Sequence, residues 1–95
     1  MNIVEHMMEL HEEAWDELMG AKHYLKKRQE ATKQECKAMY LSMATDELGH
    51  AEKLIHEGDT LFAGANSADS LAMVWEHLKK RLHEEKKKLE AHLKS

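Results

Sequence analysis

Two glutamates and a histidine, Glu17, Glu47 and His50, fall on stripes of this chain where helical spacing calls for apolar residues. The stripe Ile3, Met7, Leu10, Ala14, Ala21, Tyr24 is interrupted by Glu17, and the stripe Tyr40, Met43, Leu54 by Glu47 and His50. An ionised carboxylate in a helix-packing face is costly unless an opposite charge meets it there. A bound metal ion supplies that charge most simply. Residues three apart on a helix point the same way, so Glu47 and His50 can serve one site together. Carboxylate with imidazole suits Fe(II) or Mn(II) better than thiolate-loving ions. A Glu-x-x-His pair alone is weak evidence in a chain with eight His and many Glu. Its conjunction with Glu17, on stripes and at one level, is what singles the three out.

That level follows from the elements that carry them. No helix breaker except Gly20 interrupts the chain from about residue 2 to 30, which predicts a first helix roughly 40 Å long at 1.5 Å per residue. Beyond it the apolar pattern restarts out of phase at Cys36, Tyr40 and Met43, so a tight turn is expected at Ala31–Thr32. Thr32 and Glu35 have the spacing of a capping box. A second helix is predicted over about 33–57, stopped by Gly58 in the left-handed position that favours glycine. In such an antiparallel hairpin, residues equidistant from Thr32 lie level: Glu17 with Glu47, Ala14 with His50, Tyr24 with Tyr40, Leu10 with Leu54. Ala63–Ser70 reads as a loop with Ser67 or Asp69 as candidate caps. A third helix over about 70–93 places Leu71, Val74 or Trp75, Leu78, Leu82, Leu89 and Leu93 on one side and a mixture of Lys, Arg and Glu on the other.

The fold class expected is therefore all-α in a single domain. The chain has 95 residues, no Pro, four Gly and 34% charged residues, a composition of long helices. So small a chain has little core, and oligomerisation is the expected source of further stability. A net charge of -4 provides no basic field for nucleic acid or an anionic membrane. A single cysteine, no basic leader and no apolar run near 20 residues lead to the expectation of a soluble, cytoplasmic protein.

The segments Glu17-Leu-Met-Gly-Ala-Lys-His-Tyr24 and Asp46-Glu47-Leu-Gly-His50-Ala, with the spacing between them, resemble the short ferritin-like proteins that contribute half a bundle per chain. These include the encapsulated ferritins and rubrerythrin-like half-bundles, and the resemblance covers about the first sixty residues. It implies an antiparallel hairpin that dimerises into a four-helix bundle, with Glu17, Glu47 and His50 as iron ligands and Tyr24 as a hydroxyl beside the site. Two ions per dimer and Fe(II) oxidation by dioxygen follow from it, with Mn or Zn as alternative metals. A Glu from each of two helices and a Glu-x-x-His from each of the other two is a di-metal ligand set that two copies can complete. The chain also departs from the family. Encapsulated ferritins carry two further acids beside the first ligand; Asp16 corresponds to one, and Met19 replaces the other. No apolar docking tail follows the charged helix ending Lys94-Ser95, so an encapsulin shell is not expected as partner. A dimer or ring of dimers is.

Two other readings compete: a Mn, Zn or Fe module that binds metal without catalysis, and a helical oligomer whose Glu–His pairs are only hydrogen-bonded. Tyr24 and Tyr40 read first as packing residues, Trp15 and Trp75 as core or interface aromatics, and Cys36 as a small buried residue. His6, His11, His23, His56, His77, His83 and His92 read as solvated, as do the runs around Lys79 and Lys86.

Overall fold

A computed structural model describes residues 2–63 and 69–94, which form three helices and no strand: α1 (Ile3–Glu30), α2 (Gln34–Phe62) and α3 (Asp69–Leu93). Asn2 caps α1. Its Oδ1 accepts from the Glu5 backbone N–H at 2.9 Å while its Nδ2 donates to Glu5 Oε1 at 2.8 Å. Glu5 near the positive end of the helix dipole, and Lys27 and Arg28 near the negative end, favour the same limits.

The hairpin turn is centred on Thr32, between the caps Ala31 and Lys33, but α2 begins one residue later than expected. Lys33 takes the extended cap position of α2, with no side-chain cap bond. Glu35 then sits one position too early to close a capping box, and the expected Thr32–Glu35 pairing does not form. The end of α2 also differs from expectation. Gly58 does not stop it: the helix runs on to Phe62, and no glycine among the described residues has positive φ. Gly58 is there for room, because a Cβ at that position would fall inside the Trp75 ring. The candidate cap Ser67 lies outside the described residues, and Asp69 opens α3 itself.

The buried faces are Met7, Leu10, Ala14, Leu18, Ala21, Leu25 on α1 and Ala44, Leu48, Ala51, Ile55, Phe62 on α2, with Trp75, Leu82 and Leu89 from α3. The faces therefore run one residue beyond the predicted stripes, through Leu18 and Leu25 instead of Glu17 and Tyr24, and through Leu48 and Ala51 instead of Glu47 and His50. Stepping by four from Ala14 reaches Leu18, and burying a leucine is cheaper than burying a carboxylate. Glu17 and Glu47 are thus at the rim of the core, and among the described residues no charged side chain is fully buried.

α3 lies on one flank of the hairpin and is held there by polar contacts as well as by its leucines. The Trp75 indole Nε1 donates to Asp59 Oδ1 at 2.9 Å, and Lys79 Nζ reaches the same oxygen at 2.9 Å. Burial pushes the Asp59 carboxyl up, but these two donors outweigh it and hold the carboxyl below its ordinary value. Lys86 pairs with Glu52 at 3.0 Å, and the Arg81 guanidinium lies 5.5 Å from the Trp15 ring centre. The basic runs of α3 are therefore not simply a solvated face: one side of them ties α3 to α1 and α2. His6 sets its ring edge-on to Phe62, and His11 is half-buried with an Nε2 that has no hydrogen-bond partner, so neither is merely solvated. Cys36 is half-buried.

Candidate metal centre

The antiparallel hairpin has the register expected from its turn. Tyr24 and Tyr40 stack, with ring centres 6.4 Å apart and planes inclined by 22°. Seven residues from each, two turns away along α1 and α2, stand Glu17 and Glu47. One further turn along α2 stands His50, whose imidazole reaches back toward the two glutamates.

These three side chains converge. Glu17, Glu47 and His50 each offer a ligand atom, all within 4.8 Å of one another. His50 Nδ1 lies 3.4 Å from Glu17 Oε2 and 3.9 Å from Glu47 Oε1. The glutamate side chains are 29% and 27% exposed and the imidazole 54%, so the group is open on one side. Glu17 Oε2 is nevertheless shut off from water and accepts no hydrogen bond. The nearest donor to that oxygen, His50 Nδ1 at 3.4 Å, is not placed to bond it, so a carboxylate oxygen in that position is under-satisfied.

The electrostatics express the same deficit. The Glu47 carboxyl is pushed up from 4.5 to about 7, first by the proton it can share with Glu17, then by burial and by the repulsion of the Glu17 charge. The neighbouring His50 pulls the other way. Two facing carboxylates have no donor between them until one takes a proton. A divalent cation would satisfy both without that proton, so the donor set fits a metal ion of the oxygen- and nitrogen-loving kind.

A cleft of about 480 Å³ lined by Glu13, Asp16, Glu17, His50, Lys53 and Leu54 opens onto the group. All its walls come from α1 and α2. On α2 the residues bound to α3, Glu52 and Asp59, share one flank, whereas His50 and Leu54 face the other at 100° per residue. The site and the third helix therefore occupy opposite sides of the hairpin.

The register expected from the sequence brings Glu17, Glu47 and His50 together, whereas Tyr24 stands against Tyr40 two turns away along the hairpin. Sequence reasoning missed Asp59 and Lys79, whose pairing joins helices far apart in sequence, and it missed Gly20, which sits against Glu47. A glycine inside an otherwise unbroken helix one turn from Glu17 was the available signal for the last. No family model, curated protein or solved structure matches this chain. No helix of the described residues is long and apolar enough to cross a membrane.

Proposed function

We propose that this chain is a ferritin-like half-bundle that binds iron between two copies and oxidises Fe(II) with dioxygen. The observation that carries the reading is the convergence of Glu17, Glu47 and His50, with a buried, unsatisfied Glu17 oxygen, on the flank that α3 leaves open. Three donors are too few to enclose two ions. A second copy related by a twofold axis would add the same three and complete a six-ligand set.

The surface around the site supports pairing with another copy. Met39, Met43, His50 and Leu54 follow at steps of four and seven on α2, forming one stripe beside the acids; Met39 is exposed, and Met43 and Leu54 are half-buried. Covering that stripe would remove apolar surface from water and place the carboxylates in a drier environment where their hold on a cation strengthens.

In this reading Fe(II) is the substrate and its electrons pass to dioxygen. The chain's own part is to gather the ions, offset their charge with Glu17 and Glu47, hold His50 beside them, and keep Tyr24 and Tyr40 packed above. Oxygen-dependent Fe(II) oxidation is expected from the unaltered protein and is expected to fall to the rate in buffer for Glu47→Ala. Equal rates for the two proteins would remove the proposal.

A second reading rests on the fact that three donors already meet within one chain: the residues hold Mn, Zn or Fe without redox turnover and serve assembly. In that case a chelator dissociates or melts the assembly while Fe(II) oxidises no faster than in buffer.

A further inference from the structure

We propose that Gly20 is a positioning residue whose missing side chain provides the seat for the Glu47 carboxylate. The inference rests on the metal-site reading for its function, but its geometry stands independently. A Cβ built on Gly20 would lie 2.6 Å from Glu47 Oε2 and 3.3 Å from Glu47 Cδ. The first distance is too short for two unbonded atoms, so any side chain at residue 20 and the present position of the carboxylate exclude each other. The carboxylate is thereby divided in its duties. Oε2 rests against the α1 backbone at Gly20, and Oε1 turns toward His50 Nδ1, 3.9 Å away.

The three glycines of the helices separate this role from mere helix composition. Glycine in a helix interior is destabilising relative to alanine, so each needs a reason to be there. Gly58 makes room for Trp75, and Gly20 makes room for Glu47. Gly49 has nothing within 4 Å of where a Cβ would be and so provides an internal control one residue from His50. Gly20 is also placed three residues after Glu17, on the side of α1 that faces Glu47. Filling it would move one ligand oxygen away from the other two donors without touching any donor chemically. A shift of that kind weakens a metal site even when every ligand is retained.

The test compares Gly20→Ala with Gly49→Ala in two measurements. Anaerobic Fe(II) titration calorimetry is expected to show affinity reduced tenfold or more for Gly20→Ala and unchanged for Gly49→Ala. Urea denaturation of the metal-free protein is expected to show Gly20→Ala raising the midpoint less when Glu47 is present than in a Glu47→Ala background, because the carboxylate must move aside only in the first, while Gly49→Ala raises it equally in both. Wild-type affinity in Gly20→Ala, or the same midpoint change in both backgrounds, would overturn the proposal. If the unaltered protein binds no Fe(II), the functional reading fails, and the denaturation cycle alone decides whether Gly20 seats Glu47.

Discussion

The two flanks of the hairpin treat charge in opposite ways. On the flank under α3, the Asp59 carboxylate receives an indole N–H and a lysine ammonium, and Lys86 meets Glu52. On the other flank two glutamates and a histidine crowd together, with one carboxylate oxygen shut off from water and without a hydrogen bond. The first arrangement supports the chain's own fold. The second has an internal cost, repulsion between Glu17 and Glu47, which the neighbouring His50 offsets only in part. A feature that a single copy leaves unsatisfied is more naturally explained by what binds there than by what folds there.

The largest expected effect lies on the covered flank. Trp75→Ala removes a wholly buried indole and its bond to Asp59, and should destabilise the protein by about 3–5 kcal/mol, read from urea denaturation. Gly58→Ala is a smaller test of the same contact. It favours the helix but collides with the Trp75 ring, and a net loss of about 1–3 kcal/mol is expected. A gain in stability would show that the ring moves aside freely and that α3 is less firmly seated than its contacts indicate.

On the open flank the sign reverses. Glu47→Gln removes a repelled charge and should stabilise the metal-free chain, by about 0.5–1 kcal/mol after allowing for its partial exposure to water. The pH dependence sharpens the contrast. The folded chain holds the Glu47 proton more tightly than the unfolded chain, so that contribution to stability is full below about pH 4.5 and is lost as the pH rises through about 7. Asp59, held below its ordinary 3.8, behaves oppositely: its contribution is present above that value and is lost as the pH falls through the folded value. Thermal melts of the metal-free protein should therefore decline between pH 5 and pH 8, and Glu47→Gln should flatten that decline. An identical slope in both proteins would place the titrating group elsewhere.

The helices and the level of the site were legible because both depend on local rules. Apolar spacing and the phase break near Cys36 located the hairpin, and its turn put Glu17 level with Glu47. The exact buried faces were less legible. Glu17 and Leu18 are neighbours on the wheel, and only the placement of α3 and α2 decides which of them points inward. Gly58 was misread for a related reason: its partner, Trp75, is distant in sequence, so a packing glycine looked like a stop signal. The pairing of Asp59 with Lys79 was invisible in a run of alternating charges, since composition does not say which lysine reaches across. Convergence of donors can be anticipated from helical repeat and register. The seat at Gly20 requires the distance between two helix axes, which the sequence does not encode locally.

Native mass spectrometry of protein loaded anaerobically with Fe(II) addresses the central claim most directly, because it reports mass and metal content of the same particle. Two iron ions on a particle of two chains, lost together with Glu17→Ala or Glu47→Ala, is the result expected. A single chain carrying no stoichiometric metal under the same conditions would contradict the account and leave the acidic group as a structural oddity of a three-helix protein.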